Sequence, residues 1–199
     1  MKRICVFCGS SPGSRPEFLE AAEALGCALL KRGHELVYGG ASVGLMGRLA
    51  ETVLEGGGNV IGVIPSSLAD KEVALTKLPD LRVVPSMHDR KAMMAGLSDG
   101  FIALPGGLGT LDEFFEVLTW TQLGIHTKPC GLLNTSGYFD KLVEFLDEAR
   151  DNFFIRPEHR SMLLVEDDPE ALLDRFEDYK QPKVDKAEWI LSLSNKKIV

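Results

Sequence analysis

The chain has no long apolar run and no excess of positive charge. None of its hydrophobic stretches approaches the roughly 20 residues that a helix needs to cross a bilayer. It carries 22 Lys and Arg against 29 Asp and Glu, a formal net charge of −7 that repels a polyphosphate backbone. The cations are also spread along the chain rather than gathered into a basic stripe. We therefore expect no membrane partner and no nucleic acid polymer as a ligand.

Cysteine is scarce as well, with only Cys5, Cys8, Cys27 and Cys130. The chain enters a strand-like run at Ile4 almost at once, without the apolar segment of a secretory leader, so we expect a cytoplasmic protein with reduced thiols. The Cys5-x-x-Cys8 spacing alone is typical of a redox dithiol. A redox pair needs its first thiol exposed at a helix start, however, and Cys5 lies inside the apolar strand pattern.

Short apolar runs alternate with amphipathic helical patterns along most of the 199 residues. This alternation predicts an α/β fold, a Rossmann-like doubly wound parallel sheet with helices on both faces. The pattern weakens near Lys180, so we expect one domain over 1–179 and an appendage over 180–199. Ligands of such sheets collect beyond the carboxyl ends of the strands, where the glycine-rich segments of this chain fall. The predicted strands are 4–8, 35–38, 60–64, 81–84, 101–104, 130–133 and 162–165.

The most informative segment reads Pro105-Gly-Gly-Leu-Gly-Thr110-Leu-Asp-Glu113. Three glycines let a backbone approach an anion, and the helix that follows presents unpaired N–H groups, so the segment is typical of a phosphate cradle. It lacks the lysine of a Walker loop and the spacing of the dinucleotide fingerprint. A structural reading stands beside the functional one: the glycines allow a tight turn, and Thr110 and Glu113 form a capping box.

The helix after this segment carries carboxylates whose role depends on where they face. We expect its core stripe to leave Glu113 and Glu116 on another face, without requiring either to be buried. A carboxylate there solvates a helix surface or, beside a ribose, stabilises the oxocarbenium-like charge that develops as a glycosidic bond breaks. The expected core stripe is Leu111, Phe114, Phe115 and Leu118.

Two cations, Arg90 and Lys91, lie near the start of the preceding helix, where the macrodipole disfavours positive charge. An anionic ligand would relieve this conflict. Alternatively, both side chains are solvated and the conflict costs only about a few tenths of a kcal/mol. His88 stands alone without a second ligand at metal spacing, so we expect a cap or a surface group and no metal site.

Four segments together resemble the LOG family, the cytokinin riboside 5'-monophosphate phosphoribohydrolases that are often labelled lysine decarboxylase-like. They are Phe7-Cys8-Gly9-Ser10-Ser11, Gly39-Gly40 with Gly44-Leu45-Met46-Gly47, Met87-His88-x-Arg90-Lys91, and residues 105–113. The match runs in order from the first strand to Gly131 and more loosely to Arg150. The resemblance implies hydrolysis of the N-glycosidic bond of purine nucleoside 5'-monophosphates to free base and ribose 5-phosphate, with no cofactor.

The same resemblance implies that Arg90 and Glu113 are catalytic and that the enzyme is a homodimer or a larger homo-oligomer. The implied substrate-binding residues are Ser10, Glu72, Lys91, Gly106, Gly107, Leu108, Gly109, Thr110, Leu111, Asp112 and Thr119. An alternative is a non-catalytic carrier of a phosphorylated, nucleotide-like ligand, as in relatives that carry molybdenum cofactor. The presence of both Arg90 and Glu113 argues against a carrier.

Overall fold

The computed structural model describes residues 1–69 and 78–182 of the chain. Seven strands form one parallel sheet in the order β4-β3-β2-β1-β5-β6-β7. The strands are β1 (Arg3–Phe7), β2 (Glu35–Tyr38), β3 (Val60–Pro65), β4 (Asp80–Val84), β5 (Gly100–Ala103), β6 (Cys130–Leu133) and β7 (Leu163–Glu166). The predicted fold class is confirmed.

Helices follow the strands and cover both faces of the sheet. They are α1 (Pro16–Lys31), α2 (Gly44–Glu55), α3 (Ser66–Ala69), α4 (Met87–Leu97), α5 (Leu108–Gln122), α6 (Asp140–Asp151), α7 (Pro157–Arg160) and α8 (Pro169–Glu177), with a 3-10 turn at Thr135–Gly137. Within the described residues, no helix is both long and apolar enough to cross a membrane.

Two apolar cores sandwich the sheet, one on each face. Alternate residues of β1 divide between them: Ile4 and Val6 pack with α1, α2 and α8, whereas Cys5 and Phe7 pack with α4, α5 and α6. Because both faces are covered, the central strands are apolar at nearly every position, as expected for a parallel sheet. Leu25 and Phe114, one in each core, are completely buried.

The strand order reverses between β1 and β5. The chain adds β2, β3 and β4 outward on one side of β1, then returns to pair β5 with β1 on the other side. The connections after β1 and β5 leave toward opposite faces, which opens a crevice at the carboxyl ends of these two strands. The glycine-rich segments after Phe7 and after Leu104 form this crevice.

Every predicted strand is present with its bounds within one residue of the prediction. The sequence pattern did not indicate α3 or α7, which have four residues each and are too short to show a helical period. Residues 183–199 of the predicted appendage lie outside the described residues, so the boundary near Lys180 stays a prediction.

Candidate functional site

A cleft of about 370 Å³ lies at the crevice between β1 and β5. Its walls come from the loop after β1, the loop before α5, the first residues of α1 and α2, and the loop after β6. The lining residues are Gly9, Ser10, Ser11, Pro12, Gly13, Phe18, Leu45, Pro105, Gly106, Gly107 and Tyr138. Small residues dominate this lining, so backbone groups rather than side chains form much of the wall.

Backbone contacts hold the two central loops together. The N–H of Gly9 donates to the carbonyl of Pro105 at 3.0 Å, and the N–H of Leu104 donates to the carbonyl of Phe7 at 3.0 Å. A Cβ atom on Gly106 would lie 2.9 Å from the Gly9 nitrogen and would collide with the side chain of Thr110. Gly106 is therefore required for the loops to approach this closely.

Helix α5 begins at Leu108, with Gly107 as its N-cap in an extended conformation. The predicted capping box is therefore wrong: Thr110 lies in the first turn and Glu113 in the second. Gly107 has no side chain to cap the helix, so the first-turn N–H groups have neither a side-chain cap nor an intrahelical partner. This arrangement favours the anion-binding reading of the segment over the capping reading.

Glu113 faces the protein interior and is only 8% exposed, because the buried stripe of α5 differs from the predicted one. Phe114 belongs to both stripes, whereas Leu111, Phe115 and Leu118 are half-buried. The expectation that Glu113 lies away from the core face is wrong. The buried face of α5 includes the polar Glu113 itself, so the apolar residues alone do not mark that face. The observed buried residues are Thr110, Glu113, Phe114, Val117 and Thr121.

Arg90 supplies the charge that faces Glu113. The Arg90 Nη1 atom lies 3.5 Å from Glu113 Oε1, and both side chains are at least nine-tenths buried. Arg90 Nη2 also donates to the carbonyl of Gly39 at 3.3 Å. A Cβ atom on Gly39 would occupy the place of this guanidinium, so the glycine after β2 makes room for the ion pair.

Lys91, the residue after Arg90 on α4, also contacts α5. Its Nζ lies 3.2 Å from both Asp112 Oδ2 and Glu116 Oε2. Burial disfavours the charged amine, but the hydrogen bonds that it donates to Glu116 and Asp112 outweigh this effect and raise the pKa of Lys91. Neither cation of α4 is a freely solvated side chain, because carboxylates of α5 balance both. From the sequence we expected a ligand or solvent, rather than α5, in this role.

The thiols near the ion pair are neutral. Burial, reinforced by the negative charge of Glu113 and opposed by Arg90, raises the pKa of Cys8, and burial likewise raises the pKa of Cys5. A redox dithiol needs an accessible thiolate, so this geometry does not support one. Across residues 1–69 and 78–182, no group of three or more His, Cys, Asp or Glu side chains could hold a metal ion.

The remaining predicted residues divide by location. Ser10 is exposed at the cleft, and Leu108 and Gly109 are exposed in the first turn of α5. Thr119 is exposed about 9 Å farther along the helix than Glu113, beside a second cavity of about 290 Å³ between α5, α6 and α7. The single chain therefore does not bring Thr119 to the cleft. Glu72 lies outside the described residues.

Sequence reasoning missed two aromatic residues of the cleft, Phe18 and Tyr138. Their rings pack edge to face with centroids 5.5 Å apart. The Tyr138 hydroxyl donates to the carbonyl of Gly106 at 2.7 Å. The one local signal was the Ser136-Gly137 pair, where the chain turns with positive φ angles. A loop pattern alone does not reveal that the Tyr138 hydroxyl finds its acceptor in the carbonyl of Gly106.

Known proteins with similar sequences fall in one family. The family model described as "Possible lysine decarboxylase" matches residues 46–176. The chain is 53% identical to a probable cytokinin riboside 5'-monophosphate phosphoribohydrolase of Oryza sativa subsp. japonica, over 89% of this chain and 78% of that protein. It is 50% identical to a cytokinin riboside 5'-monophosphate phosphoribohydrolase of Arabidopsis thaliana, over 92% of this chain and 84% of that protein.

Solved structures share the fold at lower identity. The molybdenum cofactor carrier protein of Chlamydomonas reinhardtii superposes with a TM-score of 0.66 at 23% identity, covering 89% of this chain and 99% of that one. The molybdenum cofactor binding protein of Rippkaea orientalis gives a TM-score of 0.67 at 24% identity, with 89% and 97% covered. These likenesses support the doubly wound fold.

Substituting Gly39→Ala tests whether this glycine makes room for the ion pair. The added methyl group should displace the Arg90 guanidinium and leave Glu113 buried without its partner, which should lower the free energy of unfolding by about 2 kcal/mol or more. The control is Gly96→Ala on α4, where a Cβ meets nothing within 4 Å and alanine favours the helix. Urea denaturation measures both. Equal stabilities for the two variants would contradict this account of Gly39.

Proposed function

Because this chain belongs to the LOG family, we propose that it hydrolyses the N-glycosidic bond of purine nucleoside 5'-monophosphates. The bases are adenine or N6-substituted adenines, and the products are the free base and ribose 5-phosphate. The observation that carries the proposal is the buried pair of Arg90 and Glu113, because Glu113 lies in the second turn of α5, the helix that begins at the glycine-rich cradle. A carboxylate beside an anion site suits a substrate with a phosphate at one end of a ribose and a reacting C1' at the other.

The cradle supplies the anchor. The N–H groups at the start of α5, from Gly107 to Thr110, would bind the phosphate at the positive end of the helix dipole. Ser10 offers a hydroxyl from the opposite wall of the cleft. Binding energy from the phosphate then holds the ribose in the cleft, which lowers KM and so raises kcat/KM.

Glu113 provides the charge that the reaction requires. As the bond between C1' and the base nitrogen breaks, its electron pair leaves with the base and positive charge develops on the ribose. The Glu113 carboxylate stabilises this charge and orients the water that attacks C1'. Arg90 holds the carboxylate and orients the substrate. Its high pKa makes it a poor proton donor, so we assign it no role as a general acid.

Two other activities fit the site less well. A decarboxylase of the kind suggested by the family label needs a nucleophilic lysine for a Schiff base, but Asp112 and Glu116 keep Lys91 charged. Among the described residues, no lysine lines the cleft. A carrier of a phosphorylated ligand would need the cradle, but it would have no use for a buried ion pair beside it.

We also propose that the active form is a homodimer or a larger homo-oligomer in the cytoplasm. Three large apolar side chains are each more than 60% exposed: Leu123 just after α5, Phe145 on α6 and Phe154 after α6. We call these three side chains the apolar surface, and a subunit contact would cover them. Thr119 lines the cavity between α5, α6 and α7 rather than the cleft, so a second subunit is the simplest way to bring it near a nucleotide. Phe114, also on α5, is fully buried within its own chain and cannot contribute to a contact between subunits.

Association is tested by light scattering at micromolar concentration. We expect at least twice the mass of the 21.8 kDa chain. Phe154→Asp should shift the population toward monomer, since it places a charge on the apolar surface, whereas Phe145 and Leu123 remain in place. A wild-type protein that scatters only as a monomer would refute the oligomer.

The phosphate anchor predicts that AMP is a far better substrate than adenosine. Losing the phosphate removes its charge-assisted hydrogen bonds to the cradle, so kcat/KM should fall by at least about 100-fold. Chromatographic detection of released adenine measures both reactions, with isopentenyl-AMP, GMP and CMP defining the base preference. Similar kcat/KM values for AMP and adenosine would show that the phosphate is not the anchor.

Glu113→Gln tests the catalytic carboxylate, because glutamine preserves shape and removes charge. Loss of one preorganised electrostatic partner should lower kcat for AMP by about 100-fold or more. The control is Glu20→Gln on the exposed side of α1, which should retain full activity. Circular dichroism at the assay temperature verifies that both variants are folded. Near-normal hydrolysis by Glu113→Gln would assign the role to another carboxylate.

A further inference from the structure

Three consecutive carbonyl groups of the cradle loop each have a fixed partner. The carbonyl of Pro105 accepts from the N–H of Gly9, and that of Gly107 accepts from the N–H of Leu111. The carbonyl of Gly106, between them, accepts from the hydroxyl of Tyr138. It is the one carbonyl of the three that a side chain holds.

Each of these carbonyls shares a planar peptide with the N–H group of the following residue. In a trans peptide the C=O and N–H bonds point in opposite directions, so fixing the oxygen also fixes the hydrogen. The Tyr138 hydroxyl therefore directs the N–H of Gly107 away from itself. No described residue accepts a hydrogen bond from this N–H, which leaves it free for a ligand.

The Gly106–Gly107 peptide needs such a partner more than its neighbours do. Glycine populates both signs of φ at little cost, so a peptide between two glycines can reverse its orientation more easily than one flanked by side chains. A reversed peptide would present the Gly106 carbonyl, an acceptor, where an anion requires a donor. The apparent Kd for phosphate is the intrinsic Kd divided by the fraction of molecules whose peptide has the productive orientation, so any reversed population weakens binding.

Several contacts hold Tyr138 in place, although its ring is partly exposed. Its ring packs edge to face against Phe18 and Phe139, with centroids 5.5 and 5.0 Å away. The turn before it is fixed by Asn134, whose side-chain oxygen accepts from the N–H of Phe139 at 2.7 Å. The hydroxyl therefore reaches Gly106 from a rigid support.

We infer that Tyr138 is a positioning residue: its hydroxyl holds the Gly106–Gly107 peptide so that the N–H of Gly107 binds the substrate phosphate. This inference rests on the proposed function, because it assigns the cradle to a nucleotide phosphate. Tyr138 acts through the backbone and takes no part in bond cleavage. The phosphate contact is the same in the bound substrate and in the transition state, so it contributes to binding rather than to the chemical step.

Tyr138→Phe tests the inference, because it deletes the hydroxyl and keeps the ring. Titration calorimetry with ribose 5-phosphate should show a Kd raised about three- to tenfold, the usual effect of one hydrogen bond. KM for AMP should rise by a similar factor while kcat stays within about twofold of wild type. Adenosine, which has no phosphate, should be cleaved with unchanged kcat/KM.

Tyr179→Phe is the matched control. Its hydroxyl is buried and has no hydrogen-bond partner among the residues that the structure describes, so its loss should leave Kd and KM unchanged. An unchanged Kd in Tyr138→Phe would overturn the inference. So would an equal loss of activity toward adenosine, because that would reveal a general structural defect.

The same titration separates this inference from the proposed function. If the wild type binds ribose 5-phosphate but releases no adenine from AMP, the proposed function fails, and the Kd comparison still decides the role of Tyr138. If the wild type binds neither ribose 5-phosphate nor inorganic phosphate, the cradle takes no phosphate and the inference is overturned.

Discussion

The ion pair between Arg90 and Glu113 is the constraint around which the site is arranged. Two buried charges are tolerated only when they are paired, so α4 and α5 must keep a fixed spacing and the chain after β2 must remain free of a side chain at Gly39. The same two helices are linked a second time through Lys91. Both helices also lie on one face of the sheet, so the charged contacts form a seam beside the apolar core instead of interrupting it.

The proposed anchor for the phosphate follows a different principle, since it is made mainly of backbone. Close approach of the loops after β1 and β5 depends on glycine, and the strand order alone brings these loops together. Recognition by N–H groups requires no long side chain to be ordered on binding, so little conformational entropy is lost there. In the proposed mechanism, Glu113 and the backbone cradle thus perform separate tasks on successive turns of α5.

Sequence pattern was sufficient for the strands and for the segments that form the cleft, because apolar runs and glycine clusters are local signals. It failed for Glu113, whose burial depends on a partner 23 residues earlier in the chain and not on the helical period around it. It also failed for the start of α5, since the N-cap is a glycine, which has no side chain and so gives no capping signal. Tyr138 was missed for a related reason: a hydroxyl that bonds to a distant backbone carbonyl leaves no trace in local sequence.

The backbone nature of the cradle also bears on how such a protein diverges. A binding surface built from strand order and a few glycines survives replacement of most side chains, because substitutions elsewhere leave its N–H groups in place. Selection can then alter the residues around the base without rebuilding the anchor. Descendants of this scaffold are free to change what they recognise at one end of the ligand while inheriting the other end intact.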